Sequence, residues 1–361
     1  MLILGLESSC DETAAAVVED GVRVRSSVVA SQTALHAEYA GVVPEIASRA
    51  HVEAVVPVVR EAVARAGVSL ADVGAVAVGH RPGLIGSLVV GVTAAKALAW
   101  SLGVPLVGVD HVHAHLYSGA LRDDADTASN EPRAELFPAL GLVVSGGHTT
   151  LYRVRSWLDV TRLGSTIDDA VGEAYDKAAA ILGVPFPGGP NLDRLAQTPG
   201  ANERAAELPI SRLSPTSLDF SFSGLKTALL YEVQGVPGPG PGGSVRPAPP
   251  ALTDARRADL AASFQRAAVR AVLLKVERAL ERLSSNGEPA RAILTGGGVT
   301  ANSRLRAELA SLARDRAVAL ALPRMEYCID NAAMIAGLGY HLLRAGRASG
   351  LDLEAVPTTA C

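Results

Sequence analysis

The sequence predicts an α/β fold built from a duplicated unit, and two hairpins carry this prediction. Residues 2–7 are mostly apolar, the polar turn Ser8–Thr13 follows, and Ala14–Val18 is apolar again, as in a strand, a turn and a second strand. The same plan returns at Leu140–Val154, where the turn is Ser145–Thr149. The two turns lie about 137 residues apart, which indicates two copies of one α/β unit. Identity between the copies is low, so the repeat is a hypothesis that rests on the shared plan.

Helical periodicity and helix stop signals fill the chain between the hairpins. Apolar residues recur at helical spacing after Pro44, and Gly67, Gly103 and Gly183 each follow a periodic segment, where a C-terminal glycine is favoured. Asp330 stands at the position of a helix N-cap. We therefore predict helices over residues 44–66, 87–102, 166–182, 259–283, 302–316 and 330–345, and strands over residues 104–109 and 290–295.

Composition and charge are those of an ordinary globular enzyme. Of 361 residues, 48% are hydrophobic and 19% are charged, which is enough apolar material for two cores. We expect no membrane span and no signal peptide, because apolar runs stay below roughly 18 residues and the start has the pattern of a strand. The three widely spaced cysteines predict no disulfide framework and favour a reducing cytoplasm.

The net charge of −4 gives no general attraction to nucleic acid, so an RNA partner would need a local basic patch. Arginines cluster within residues 256–282 and 304–316 on helical patterns. They either form such a patch or lie on ordinary solvated helix faces.

Two polar segments have the composition of insertions. Asp123–Glu135 is polar and charged, and Pro237–Pro250 is rich in proline and glycine, which predicts a flexible loop. The first segment separates the two hairpins and places a domain boundary near residues 120–138. We predict an N-terminal lobe over residues 1–125 and a C-terminal lobe over residues 136–361, which carries the loop at 237–250.

The run from Asp110 to His115 predicts a metal site. His111 and His115 are spaced to lie one turn apart on one helix face, which suits two bonds to one transition metal. A zinc peptidase would carry Glu after the first histidine as the base that activates water, but this position is Val112. A metal here would therefore position or polarise a substrate. The alternative is that His111, His113 and His115 are surface or capping histidines.

Three glycine- or hydroxyl-rich turns each follow a predicted strand. They span Ser8–Thr13, Ser145–Thr149 and Thr295–Thr300, and the last leads into the helix that starts at Asn302. Such turns aim backbone N–H groups at an anion, so three of them indicate a nucleotide between two lobes, although each could be a simple turn. The sequence has no P-loop and no GxGxxG fingerprint after the first strand, which argues against a P-loop NTPase and a Rossmann dehydrogenase.

Acidic residues of the predicted helix over 166–182 share one face, namely Asp169, Glu173 and Asp176. A solvated acidic stripe is one interpretation. Ribose binding is the other, because a Pro/Gly turn and then Asp193 follow, and carboxylates accept hydrogen bonds from sugar hydroxyls. Asp330 also has two interpretations, as a helix cap or as an anionic third ligand to the two histidines.

Together these segments resemble one family, the tRNA N6-adenosine threonylcarbamoyltransferases of the TsaD type. The resemblance implies a two-lobed actin-like fold of the sugar-kinase type, a duplicated ribonuclease-H-like unit, which agrees with the repeated hairpins. It covers nearly the whole chain through long motifs in one order, at Gly5–Thr13, Gly41–His51, Pro82–Leu84, Ser145–Thr149, Asp168–Lys177, Pro187–Pro190, Phe220–Thr227, Gly296–Asn302 and Asp330–Ala332.

The resemblance implies transfer of a threonylcarbamoyl group from threonylcarbamoyl-AMP to N6 of the adenosine 3′ of the anticodon, in tRNAs that read ANN codons, with release of AMP. It implies one divalent metal ion, iron or zinc, on His111, His115 and Asp330. It also implies a paralogous TsaB-type subunit and a TsaE-type small ATPase as partners, in the cytoplasm and without a membrane. The adenylate substrate would contact Val143, Val144, Ser145, Gly146, Gly147, Asp176, Gly189, Asp193 and Asn302.

The chain departs from the family pattern near its histidines. Arg81 stands where the family usually has glycine, and Asp110 and His113 stand where it often has asparagine and glutamate. A side chain at position 81 would narrow the cleft or contact a phosphate, and His113 is a candidate for an extra ligand. The attacking amine needs a proton acceptor, for which Glu12 and Asp11 are the candidate catalytic residues.

Three other functions stay open on the sequence. One is a metal-dependent peptidase, against which Val112 argues. Another is a noncatalytic nucleotide-binding subunit like the paralogue of this family, which lacks the histidine pair. The third is a small-molecule kinase of the same superfold.

Overall fold

The computed structural model describes residues 1–39, 41–123, 136–236 and 250–358. The two predicted insertions, Asp123–Glu135 and Pro237–Pro250, lie outside the described residues except for Asp123 and Pro250. Two mixed β-sheets, each flanked by helices, form the molecule.

The first sheet contains the strands β1 (Leu2–Glu7), β2 (Glu12–Glu19), β3 (Arg23–Ser31), β4 (Val73–Arg81), β5 (Leu106–Asp110) and β6 (Arg122–Asp123). Their order is β5-β4-β1-β2-β3-β6. Strands β1, β2 and β3 pair antiparallel, whereas β4 and β5 add in parallel to β1.

The second sheet contains the strands β7 (Ala139–Val144), β8 (Thr149–Ser156), β9 (Asp159–Ser165), β10 (Ala292–Gly296) and β11 (Ala319–Ala321). Their order is β11-β10-β7-β8-β9, with β7, β8 and β9 antiparallel and β10 and β11 added in parallel. This is the connectivity of the first five strands repeated, so the predicted duplication is confirmed. The carboxyl ends of β1, β4 and β5 meet at one edge of the first sheet, as those of β7 and β10 do in the second, and such edges form ligand crevices in α/β folds.

The helices are α1 (Thr33–His36), α2 (Pro44–Arg65), α3 (Ile85–Leu102), α4 (His111–Tyr117), α5 (Val171–Ile181), α6 (Gly188–Ala196), α7 (Ser223–Gln234), α8 (Asp254–Ser285), α9 (Ser303–Asp315) and α10 (Ala332–Arg344). Short 3-10 turns lie at Ala37–Tyr39, Leu70–Asp72, Ser118–Ala120, Gly298–Ala301 and Met325–Tyr327. Every helix predicted from periodicity is present. Helices α3 and α8 begin before the predicted starts, at Ile85 and Asp254. Helices α5 and α10 begin after the predicted starts, for reasons that concern the site.

Helix α10, the last helix of the chain, packs against the first sheet. Its side chains Ala332, Ile335 and Ala336 pack with β-strand residues such as Ile3 and Ala77 in one core of the first sheet. This helix, from the segment predicted as a C-terminal lobe over residues 136–361, therefore returns to the N-terminal sheet, and the lobe bounds stay a prediction. The reason is physical, because the open face of that sheet needs an apolar cover and the chain supplies it last.

Helix α3 corrects the expectation about apolar runs. It has an 18-residue window of mean hydropathy 1.5, long and apolar enough by length and composition to cross a membrane. Val92, Ala95 and Ala99 on its inner face belong to the core that α2 and α3 form against the first sheet. A core helix of this kind passes the same hydropathy test, so the helix is weak evidence for a membrane.

Helix α4 lies between the two sheets. Val112 and Leu116 pack in a core with strands β7 and β10, while Ala114 and Tyr117 pack in the core of the first sheet. A Cβ atom on Gly296, the last residue of β10, would collide with the carbonyl group of His115. Glycine is therefore required where the second sheet approaches α4.

Candidate functional site

The sequence places two histidines at the start of α4 by a strong local signal. Strand β5 ends at Asp110, whose Oδ1 accepts hydrogen bonds from the N–H groups of Val112 (3.0 Å) and His113 (3.1 Å). This is an aspartate N-cap, which fixes where the helix begins. His111 and His115 consequently lie on one face, with ring centroids 4.7 Å apart in a T-shaped arrangement.

Asp330 is not the cap of α10, contrary to the sequence prediction. The cap is the buried Asn331, whose Oδ1 accepts the N–H of Met334 and whose Nδ2 donates to the carbonyl of Ile329. The carboxylate of Asp330 is thereby left to face α4. Its Oδ1 lies 3.5 Å from Nε2 of His111 and 3.1 Å from Nε2 of His115.

These three side chains fit a metal ion. Their ligand atoms all lie within 4.8 Å of one another. Both ring nitrogens of His115 are buried and make no well-aligned hydrogen bond within the part of the chain that the structure describes. Two imidazoles and a carboxylate are a common donor set for zinc and for non-haem iron.

Glu7 is a residue of the site that sequence reasoning missed. It ends β1 and is almost fully buried, with Oε2 2.9 Å from Nδ1 of His111 and Oε1 accepting the N–H of Ser9. Nδ1–H of His111 donates to this carboxylate, which leaves Nε2 as the free ligand atom. A Cβ on Gly79 would come 2.5 Å from the Glu7 carboxylate, so glycine leaves it room. The signal in the sequence that could have identified Glu7 was a carboxylate at the end of an otherwise apolar strand.

Burial and the neighbouring charges shift the pKa values of His111, His115 and Asp330. Burial disfavours a charged imidazole, but the carboxylates of Glu7 and Asp330 outweigh it and raise the pKa of His111 above its ordinary value. Burial lowers the pKa of His115. Burial acts to raise the pKa of Asp330, yet the two imidazoles hold it well below the usual range. The group therefore pairs a protonated His111 with the ionised carboxylate of Asp330, and a metal ion would replace that proton.

His148 is a second residue that sequence reasoning left unassigned. It lies in the turn after β7, and burial together with the nearby charges of His111 and His115 lowers its pKa to about 4. It is therefore neutral at physiological pH, and it lies close enough to that group for the charges there to shift its pKa.

The two candidate proton acceptors are adjacent: Asp11 ends the turn after β1, and Glu12 is the first residue of β2. Burial, with the charges of Asp330 and Asp11, raises the pKa of Glu12 to about 9. Glu12 thus holds its proton firmly near neutral pH, and the acceptor role of Glu12 or Asp11 stays a prediction. Burial and Asp11 also raise the pKa of the Cys10 thiol, which argues against a thiolate nucleophile.

The glycine turn after β7 presents free N–H groups. Val143 and Val144 are buried in the sheet, whereas Gly146 and Gly147 are exposed. The carbonyls of Ser145 and Gly146 accept the N–H groups of Gly172 and Glu173 at the start of α5. The amides of Gly146 and Gly147 have no acceptor among the described residues, so they can bind an anion.

The predicted acidic stripe needs a correction. Helix α5 begins at Val171, so Asp169 precedes it and forms ion pairs with Lys177 and Lys226. Asp176 alone turns toward the predicted ribose site, where its Oδ1 accepts the N–H of Gly189 at 3.0 Å. Burial raises its pKa.

The remaining substrate candidates meet at the start of α9. Asn302 caps this helix and donates through Nδ2 to Oε1 of Gln265. Asp193 accepts hydrogen bonds from Nε2 of Gln265 and from the N–H and Oγ of Ser303. Gln265, on α8, was not predicted, because nothing in the sequence relates it to residues so distant.

Arg81 and His113 lie on the other side of α4. Nε of Arg81 is 3.3 Å from Oδ2 of the buried Asp110, so the residue pairs with the cap of α4. The ring of His113 packs edge-on against Tyr152, away from the group formed by His111, His115 and Asp330. His113 is therefore not placed to be an extra ligand.

We expect Arg81→Ala to destabilise the fold by about 1 kcal/mol, because it leaves a buried carboxylate without its counter-charge. Asp110→Asn keeps a capping side chain and removes the charge, so the same arginine change should cost less in that background. Urea unfolding of the four variants in this cycle measures the coupling. Equal costs in both backgrounds would show that the ion pair contributes nothing.

The fold and the site define a class. The chain is a two-lobed α/β protein of the actin-like type, with a His-His-Asp group and an anion-binding glycine turn at facing sheet edges. T. kodakarensis HypF shares the fold at a TM-score of 0.57 and 16% identity, over 98% of this chain and 49% of that chain. A second, full-length HypF structure in the phosphate- and nucleotide-bound form gives a TM-score of 0.55 at 12% identity, over 96% of this chain and 47% of that chain.

The chain belongs to the TsaD family of tRNA N6-adenosine threonylcarbamoyltransferases, whose family model matches residues 23–337. The protein of this name from Symbiobacterium thermophilum is 49% identical over 99% of this chain and 96% of its own length. The one from Sorangium cellulosum is 47% identical over 100% of this chain and 97% of its own length. The chain is therefore a transferase that acts in the N6-threonylcarbamoyl modification of tRNA adenosine.

Proposed function

We propose that this chain transfers threonylcarbamoyl from threonylcarbamoyl-AMP to N6 of the adenosine 3′ of the anticodon, in tRNAs that read ANN codons, and releases AMP. The observation that carries the proposal is the convergence of His111, His115 and Asp330 on one point, with Glu7 behind the first ring. In the reaction, the N6–C bond forms, the C–O bond to the AMP phosphate breaks, N6 loses a proton and AMP leaves with the bonding electrons.

His111, His115 and Asp330 would hold one Fe²⁺ or Zn²⁺ ion. Such an ion supplies Lewis-acid polarisation of a carbonyl or phosphoryl oxygen when bound. The chain's own contribution is to orient the ligands. Glu7 fixes the tautomer of His111, and the Asn331 cap directs Asp330 toward both rings.

The amides of Gly146 and Gly147 are the donors that we assign to the departing phosphate. They are exposed, and no acceptor among the described residues uses them. N–H groups fixed before the reaction stabilise developing negative charge at little reorganisation cost. Their loop is held by the first turn of α5 through Gly172 and Glu173.

The nucleotide part would lie between α6 and the start of α9. Asp176 and Asp193 offer carboxylate oxygens to ribose hydroxyls, and Gly189 and Asn302 lie beside them. The proton of the attacking amine would go to Asp11, in the turn after β1, because Glu12 already holds a proton near neutral pH. An anticodon loop presents its base unpaired, so no helix has to be opened.

The same proposal implies partner proteins, and it implies that the reaction takes place in the cytoplasm. An apolar surface on α2 and α3 suits the paralogous TsaB-type subunit, since Val52, Val56, Ile85 and Val89 are 63%, 53%, 51% and 48% exposed. A TsaE-type ATPase completes the expected set.

The predicted basic patch receives little support for a role in tRNA binding. Among its arginines, Arg257, Arg270 and Arg304 each form ion pairs with neighbouring acids. Such arginines belong to paired, solvated helix faces, the alternative that the sequence left open.

The test supplies synthetic threonylcarbamoyl-AMP, an ANN-reading tRNA and the metal-loaded chain with its partner subunits. Mass spectrometry of the digested tRNA should show threonylcarbamoyladenosine, with AMP released in equal amount. A tRNA that reads other codons is the matched control and should stay unmodified. Chelator-sensitive cleavage of a protein substrate, or transfer of a labelled γ-phosphate, without any modified nucleoside would instead indicate the peptidase or the kinase.

A further inference from the structure

The turn between β1 and β2 is held by helices α2 and α3. We call residues Ser8–Thr13, of which the last two open β2, the hairpin turn. Oγ of the buried Ser8 donates to the carbonyl of Ser87 in the first turn of α3, at 2.9 Å. The N–H of Leu84, directly before α3, donates to the carbonyl of Ser9 at 2.8 Å. The first half of the hairpin turn therefore follows the start of α3.

The second half is held by one side chain of α2, by the N–H of Gln32, which donates to the carbonyl of Asp11 at 3.0 Å, and by the pairing of β2 with β3. His51 is fully buried, with Nε2 3.0 Å from the carbonyl oxygen of Cys10 and Nδ1 2.7 Å from Oγ1 of Thr13. A carbonyl only accepts, so Nε2 carries the proton, and in the neutral ring Nδ1 accepts from the Thr13 hydroxyl. Burial lowers the pKa of His51, against the opposing effect of its hydrogen bond to Cys10, which favours this neutral tautomer.

The two bonds of His51 enclose the two acidic residues of the hairpin turn. Asp11 and Glu12 lie between Cys10 and Thr13 in the chain. Asp330 lies close enough to contribute to the raised pKa of Glu12. A side chain that bonds to both ends of this short segment therefore helps to fix where its carboxyl groups lie.

We propose that His51 is a positioning residue for the transfer reaction. It holds Asp11 and Glu12 in place within the cleft and makes their position depend on helix α2. The effect on kcat rests on the proposed function, whereas the effect on the conformation of residues 8–13 rests only on the hydrogen bonds of His51.

The experiment compares two ways of removing one hydrogen bond with a matched control. Thr13→Val removes the hydroxyl and keeps the shape, and His51→Gln keeps a donor for Cys10 but has no ring acceptor for Thr13. Ser26→Ala is the control, because Oγ of Ser26 donates to the carbonyl of Ala62, near the far end of α2, at 2.6 Å. All three variants lose one buried hydroxyl or imidazole contact with the same helix.

We expect kcat for transfer to fall about 10-fold to 100-fold in Thr13→Val and His51→Gln, with KM for tRNA and bound metal unchanged. The double variant should lose no more than the worse single one, because both changes break the same bond. Thr13→Ser, which retains the hydroxyl, should restore kcat. Ser26→Ala should lower the melting temperature and leave kcat at the wild-type value.

Deuterium uptake of the peptide that covers residues 8–13 separates this inference from the proposed function. We expect faster uptake in His51→Gln and Thr13→Val, and wild-type uptake in Ser26→Ala. Unchanged uptake, or a loss of kcat no larger than that of Ser26→Ala, would overturn the role of His51. A wild-type chain that does not transfer, with faster uptake in both variants, would contradict the proposed function and leave the positioning role standing.

Discussion

His111→Ala and His115→Ala should each lose the bound metal ion and nearly all tRNA modification while keeping the fold. Each removes one of three protein ligands, and the remaining pair cannot complete the site. Lewis-acid polarisation is worth several kcal/mol and each 1.4 kcal/mol is tenfold in rate, so transfer should fall at least about 100-fold. Metal analysis of the purified chain and the rate of nucleoside formation measure the two losses.

His113→Ala is the matched control for these variants. It removes the same ring from the same helix, but from the face that packs against Tyr152. We expect wild-type metal content and transfer, with only a modest loss of stability. Asp330→Asn adds a near-isosteric test of the third ligand and should also lose metal. Normal metal content in both His111→Ala and His115→Ala would refute the assignment of the site.

Glu7→Gln should weaken metal affinity about 10-fold to 100-fold, the usual cost of losing an outer carboxylate partner of a histidine ligand. The carboxylate accepts from both His111 and Ser9, and an amide cannot accept equally with both of its atoms. Competition between zinc and a calibrated chelator at pH 8 measures the change. Transfer at saturating metal should fall much less than affinity.

The metal affinities of the wild type and of Glu7→Gln should also differ in their dependence on pH. Glu7 and Asp330 raise the pKa of His111, so in the wild type a proton must leave before metal binds. Metal affinity should therefore rise about tenfold per pH unit below that pKa and level off above it. In Glu7→Gln the pKa of His111 falls, so the plateau begins at lower pH.

Ser9→Ala is the control for Glu7→Gln. The hydroxyl of Ser9 lies 3.2 Å from the same Nδ1 atom of His111. Wild-type affinity in Ser9→Ala, together with a loss in Glu7→Gln, assigns the orienting role to the carboxylate. The reverse pattern would show that the hydroxyl holds the ring.

Local signals predicted the hairpins well and the start of helix α5 poorly. Thr166 and the acids that follow it look like a helix N-terminus, but α5 begins at Val171. Asp168 instead accepts the N–H of Phe222 and the Oγ of Ser223, so it caps α7, whose own cap residue has no polar side chain. A capping residue serves whichever helix end comes within reach, and the sequence does not reveal that distance.

The residues of the candidate site also divide into those that local patterns predicted and those that they did not. The Asp110 cap and the histidine spacing are encoded within a few residues, so their shared helix face was predictable. Asp330 was identified as a ligand candidate. Asp330 and Asn331 both suit an N-cap, and Asp330 is free to face the histidines because Asn331 caps the helix. Glu7 could be identified only once β1 was known to end against α4.

By itself, the sequence determined the duplicated α/β plan, the strands with their polar turns and the histidine pair, because periodicity and caps act over a few residues. Tertiary structure alone decided that α10 covers the first sheet, that Glu7 orients His111 and that Gln265 joins Asp193 to Asn302. Those contacts join residues tens to hundreds of positions apart, and their partners are selected by how the two sheets and α4 pack together. Packing of this kind depends on the whole chain, so no local pattern contains it.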